Sequence, residues 1–236
     1  MNRKQFAVGD FIHIFNRGVD KRNIFMNDYD RWRFLLGLFA FNDENSTFNA
    51  LWQTNRIYGK TTFNTVKKFL KNKERNLLVN ILAYCLMPNH FHLILEEIKP
   101  GGVSKFMQKF TTGYSMYFNK KYERKGALFE GVFKSVVSES QEQLEYLLFY
   151  VNIINPAQIL EPNLKESGLI DFNKALNFTN KYDWCTNKEY LKERESVIIN
   201  KGVLGEIFDD VEKYKEYSKM ILNGKTRAEN DKLFID

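Results

Sequence analysis

Two of the three histidines in this 236-residue chain lie two positions apart, as His90-Phe91-His92. Alternate side chains of an extended strand share a face, so both imidazoles project together while Phe91, Leu93 and Leu95 project the other way. Two convergent imidazoles are the beginning of a divalent-metal site, which needs at least one further ligand. The competing reading is a pair of ordinary strand histidines. The third histidine, His13, stands alone on another predicted strand and is expected to be a hydrogen-bonded structural residue.

The elements that must position this pair follow from hydrophobic spacing. Residues 6–15 (FAVGDFIHIF) read as a first strand, closed by a turn at Asn16-Arg17-Gly18. A helix with Trp32, Leu35, Leu36 and Phe39 on its apolar side is expected to start at Asp28 or Asp30. Residues 42–80 are polar and predict a loop with a short helix near 66–70. Residues 77–86 (LLVNILAYCL) and 90–98 (HFHLILEEI) read as two strands joined at Met87-Pro88-Asn89.

Val103 opens an amphipathic helix carrying Phe106, Met107, Phe110, Tyr114 and Tyr117. A further strand follows within residues 126–137. Ser140, with Gln143 three residues on, caps a helix whose stripe is Leu144, Leu147, Leu148 and Val151. Pro156 is expected to end that helix, because the residue before a proline is pushed away from helical geometry. This order predicts an α+β fold: an antiparallel sheet covered by helices, ferredoxin-like or RRM-like. The expected division is a domain over residues 1–160 and a C-terminal helical extension over 161–236, with helices at 173–180, 188–197 and 210–222.

Lys and Arg outnumber Asp and Glu by 35 to 29, giving a net charge of +6 and making a polyanionic partner plausible. Between positions 105 and 134 the cations are Lys105, Lys109, Lys120, Lys121, Arg124, Lys125 and Lys134, against Glu123 and Glu130 alone. Interleaved Phe and Tyr could stack on bases there; a solvated helix face is the plainer reading of the same residues. Cys85 and Cys185 form no CxxC pair, which argues against a zinc ribbon or disulfide framework. The N-terminal residues lack an apolar signal core and no stretch is long enough to span a bilayer, so a cytoplasmic protein without a membrane partner is expected.

The block Met87-Pro-Asn-His-Phe-His-Leu-Ile-Leu95 resembles the HUH motif of the REP-associated tyrosine transposases, relatives of the single-strand transposases of small insertion sequences. Further blocks resemble that family in the same order: His13-Ile-Phe-Asn-Arg-Gly18, Gly102-Val-Ser-Lys-Phe-Met-Gln-Lys109, Tyr117-Phe-Asn-Lys-Lys121, Leu128-Phe-Glu-Gly-Val-Phe-Lys-Ser135 and Tyr150-Val-Asn-Ile-Ile-Asn-Pro156. The resemblance spans residues 10–157. It implies a transposase that nicks and rejoins single-stranded or hairpin DNA through a 5′-phosphotyrosine intermediate.

Carried onto this chain, it makes His90, His92 and Asn155 ligands of a divalent metal (Mg²⁺ or Mn²⁺) and Tyr150 the nucleophile, with Tyr146 in reserve. Arg17, Lys105, Lys109, Lys120, Lys121, Arg124 and Lys134 are the candidate DNA contacts, and a homodimer is compatible with the family. One departure stands out. The family places its tyrosine four residues before the asparagine, whereas Tyr150 lies five before Asn155. On an ideal helix five steps leave the two side chains roughly 140° apart. A π-bulge between them would restore the alignment. Two alternatives stay open: a metal-dependent endonuclease that uses water, and an inactive relative that binds DNA hairpins without cutting.

Overall fold

The computed structural model describes residues 5–45, 50–70, 74–164 and 168–224. Four strands form one antiparallel sheet: β1 (Phe11–Arg17), β2 (Val79–Met87), β3 (His90–Glu97) and β4 (Lys134–Val137), in the order β2-β3-β1-β4. Helix α1 (Asp28–Phe41) connects β1 to β2, and α4 (Gly102–Lys121) connects β3 to β4. This is the β-α-β-β-α-β plan of ferredoxin-like domains, as the strand and helix order predicted. Between α1 and β2 the polar stretch folds into α2 (Ala50–Tyr58) and α3 (Phe63–Leu70). The first of these has no counterpart in the sequence reading, where its Gln, Thr and Asn residues weakened the helical pattern.

Both sheet faces are covered, which explains why β2 and β3 are apolar almost throughout rather than alternating. On one face, Phe106, Phe110 and Tyr114 of α4 and Phe34, Leu35 and Leu38 of α1 pack on Ile12, Ile14, Phe91 and Leu93. The helices approach closely at Gly113, where a Cβ would run into the Phe41 ring. On the other face lies the helix begun at α5 (Gln141–Phe149), which presents Leu144, Leu147, Leu148 and Val151. Its cap is the expected one: the Ser140 hydroxyl accepts from the Gln143 N–H, and the Gln143 side chain reaches back to the Glu139 N–H.

Pro156 does not end this helix. The chain runs on through a π turn, Tyr150–Ile154, into α6 (Asn155–Leu160), and Asn155 keeps helical angles of φ −61° and ψ −49°. Proline is tolerated because it occupies the first turn of the segment restarted after the π turn, where its missing N–H breaks no ladder bond. The Asn152 carbonyl instead faces the Cys185 thiol at 3.8 Å.

The C-terminal part supplies α7 (Phe172–Lys181), α8 (Asn187–Tyr190), α9 (Gly202–Ile207) and α10 (Val211–Leu222). The helix expected at 188–197 stops after one turn; Lys192 adopts a left-handed φ of 58°, and Arg194 folds back onto Glu189. Before α8 the chain lies along the open edge of β2: Leu86 N–H donates to the Trp184 carbonyl and Thr186 N–H to the Tyr84 carbonyl. This covers an edge that would otherwise offer unpaired backbone groups. Cys85 and Cys185 oppose each other there as buried free thiols. Burial pushes both thiol pKa values up, that of Cys185 to about 12, so they behave as packing residues.

The π turn is braced from behind. Asn152, inside it and fully buried, donates to the Tyr214 hydroxyl (3.1 Å) and accepts from the Thr186 hydroxyl (2.7 Å). Tyr214 in turn donates to Asn187 Oδ1 (2.8 Å). Tyr214→Phe would leave Asn152 and Asn187 each short of a partner, at a cost of about 1–3 kcal/mol. Thermal denaturation should show a fall of several degrees in Tm. Among the described residues no helix is long and apolar enough to cross a membrane.

Candidate functional site

His90 and His92 sit at the start of β3, and register fixes their neighbours. Arg17 lies opposite His90, Phe15 opposite His92 and Lys134 opposite Phe15. These side chains share the sheet face that meets the Tyr150 helix. His92 is fully buried, whereas His90 is half-buried at a surface notch lined by Phe15, Asn16, Arg17 and Lys134. The Lys134 ammonium stands 5.7 Å over the Phe15 ring. Two cations thus frame the exposed imidazole, a suitable setting for a phosphate.

Each of these histidines is held at Nδ1. His90 Nδ1 donates to Asn89 Oδ1 at 2.7 Å, and the Asn89 amide is itself oriented by donating to the Lys21 carbonyl. His92 Nδ1 is 2.9 Å from His13 Nε2. With the Nδ1 positions so engaged, Nε2 is the nitrogen through which either ring would ligate a metal. The expectation of a hydrogen-bonded role for His13 was right in kind, but its partner is His92, one of the pair. Nothing local in the sequence indicates this, since the two residues are 79 positions apart.

Tyr150 meets the same cluster. Its ring centroid is 5.7 Å from that of His92 and 5.9 Å from that of His13, edge-on to each. The π turn makes this compatible with Asn155: the Asn155 N–H bonds the Tyr150 carbonyl five residues back, so the two stand one widened turn apart. Asn155 is fully buried, yet neither its amide oxygen nor its amide nitrogen has a hydrogen-bond partner among the described residues. A buried amide left so is costly unless something else engages it. Two imidazoles with Nε2 presented and one orphaned amide oxygen fit a divalent cation that also keeps water ligands. No three His, Cys, Asp or Glu side chains among the described residues converge on a metal-sized site.

The candidate DNA cations fall into separate groups. Arg17 and Lys134 are at the notch. Lys120 lies in the last turn of α4 and Arg124 just beyond the helix, with Arg124 bonded to Asn119. Lys105 and Lys109 are near the opposite end, where Lys105 pairs with Glu44 and Lys109 donates to the carbonyls of Asp43 and Asn45. Lys121 is drawn inward to Asp30, which also accepts from Tyr117, Tyr122 and the Met26 N–H. Burial alone would raise the Asp30 pKa. The hydrogen bonds from Lys121, Tyr122, Met26 and Tyr117 outweigh it and hold the carboxyl below its usual range. The stability this cluster gives is therefore complete at neutral pH and is lost as pH falls through that depressed value.

The fold thus sets an HxH strand of an antiparallel sheet against a tyrosine-bearing helix. Residues 50–153 match the model of a family described as IS200-like transposase, the kind of protein the sequence motifs resemble. Curated proteins give no match. Among solved structures, a REP-associated tyrosine transposase bound to a REP hairpin is 12% identical, with a TM-score of 0.45 over 89% of this chain and 92% of that one. A tRNA(His) guanylyltransferase from Saccharomyces cerevisiae is 15% identical, with a TM-score of 0.29 over 78% of this chain and 76% of that one. Both likenesses are too distant to bear on what this chain does.

Proposed function

We propose that this protein is a transposase that nicks and rejoins single-stranded or hairpin DNA, with Tyr150 as the nucleophile and His90, His92 and Asn155 as metal ligands. The observation that carries this reading is the Tyr150 ring lying against His92, with the orphaned amide of Asn155 one π turn on. In the proposed step the Tyr150 oxygen attacks the scissile phosphorus. The bond from phosphorus to the 3′-oxygen breaks, leaving a 5′-phosphotyrosine and a free 3′-OH; the phenolic proton is released and the departing oxygen gains one. Attack by a 3′-OH on the phosphotyrosine reverses the step and reseals a strand without ATP.

A bound Mg²⁺ or Mn²⁺ would neutralise charge developing on the phosphate. Arg17 and Lys134 would hold the phosphate at the His90 notch. Tyr150 is only 1% exposed, so its hydroxyl must be uncovered for attack. In this proposal residues 1–160 are the catalytic domain and residues 161–236 the C-terminal extension, whose Thr186 and Tyr214 brace the tyrosine helix from behind.

Incubating the protein and Mn²⁺ with a hairpin oligonucleotide labelled 3′ of the cleavage site tests the reading. A labelled band migrating with the protein after denaturation supports it. Cleavage with no such band would favour a water-using nuclease, and binding without cleavage under any metal an inactive relative. The DNA surface has its own test, fluorescence anisotropy over a salt series. Arg17→Ala and Lys134→Ala should each lower the salt dependence of single-strand binding by about 0.7 in log–log slope. Lys105→Ala, at the Glu44 end of α4, should leave it unchanged.

A further inference from the structure

We propose that His13 is a positioning residue for His92: it accepts a hydrogen bond from His92 Nδ1–H and so commits Nε2 of that ring to the metal. The inference rests on the metal reading above and adds a residue and a mechanism to it.

The geometry is specific. His13 faces Ile94 across the β1–β3 ladder, two pairs along from Phe15 and His92, so its side chain reaches His92 diagonally on the same sheet face. The two rings are within 13° of parallel, and their centroids are 5.1 Å apart while the facing nitrogens are only 2.9 Å apart. They therefore meet edge to edge, nearly coplanar, as an N–H···N bond requires, rather than face to face. Phe15 packs against both rings, at 4.9 Å from His13 and 5.9 Å from His92. Both imidazoles are fully buried, so water does not compete for these nitrogens and the bond gains from the low local dielectric.

A neutral imidazole carries one N–H and one lone pair. If His13 donated, His92 would carry its proton on Nε2 and could not ligate. If His92 donates, the lone pair of its ring is on Nε2. The second arrangement is the one that serves the site. His13 thus plays for His92 the part that the Asn89 amide plays for the half-buried His90. Partners of this kind fix the ring and its tautomer and commonly change metal affinity 10–100-fold when removed.

Two measurements on the full-length protein test this. The first is Mn²⁺ affinity without DNA, from EPR titration. His13→Leu fills the space without an acceptor and should weaken binding by about 10–100-fold. His13→Gln, which restores an acceptor, should recover most of the loss. The second is the ¹⁵N NMR signature of His92 in the metal-free wild type, which needs no variant. A proton on Nδ1 is expected, and a proton on Nε2 would overturn the proposal. Mn²⁺ binding that is lost in His90→Ala but unchanged in His13→Leu would overturn the role of His13 alone. Wild-type binding indifferent to His90→Ala would overturn the metal reading and this proposal together.

Discussion

His90→Ala is expected to reduce Mn²⁺-supported cleavage of a hairpin oligonucleotide by about 10³-fold or more, with DNA affinity changed only slightly. The size follows from removing a ligand of a cation worth several kcal/mol of transition-state charge stabilisation, each 1.4 kcal/mol being tenfold in rate. His90 is the better of the two histidines for this experiment. It is half-buried at the notch, where its Nδ1 bonds neighbouring Asn89. His92→Ala would also strip a fully buried partner from His13 and cost stability of its own, about 1–3 kcal/mol. Initial rates against Mn²⁺ concentration, with far-ultraviolet circular dichroism as the folding check, give the comparison. Cleavage by His90→Ala at the wild-type rate would remove this residue from the reaction.

The second large effect is expected from a single oxygen. Tyr150→Phe keeps the ring that packs edge-on against His13 and His92, so the fold and Mn²⁺ binding should survive. The nucleophile is gone, and the covalent adduct should fall below detection, a loss of at least about 10³-fold. Tyr146→Phe is the control that discriminates. Tyr146 lies one turn earlier on the same helix and is also buried. Adduct formation should persist in this second variant if Tyr150 is the attacking residue.

What the sequence made legible was local and periodic. The alternation His90-Phe91-His92 placed both imidazoles on one face, and the strand carries them there. Phe106, Phe110 and Tyr114 marked the buried side of α4. The five-residue interval from Tyr150 to Asn155 pointed to an irregular turn, and a π turn is what that interval contains. The effect of Pro156 was misjudged because the local rule for the residue before proline ignores a turn restarted one position earlier.

Other features were illegible because they join residues far apart in the chain. His13 meets His92 only when β1 pairs with β3. Likewise, Thr186, Asn187 and Tyr214 reach the π turn only after the C-terminal segment has paired with the edge of β2. Charge counting along α4 could not show which of its cations already have partners within the fold. Lys105, Lys109 and Lys121 are engaged with Glu44, backbone carbonyls and Asp30, contacts set by loops and helix ends that periodicity does not reveal.

The most direct test of the account is to identify the residue that becomes attached to DNA. After reaction with Mn²⁺ and a hairpin substrate, nuclease trimming and tryptic digestion, mass spectrometry should find the nucleotide remnant on the peptide containing Tyr150, through the phenolic oxygen. Cleaved DNA with no modified peptide, or a remnant on Tyr146 or any other residue, would contradict it.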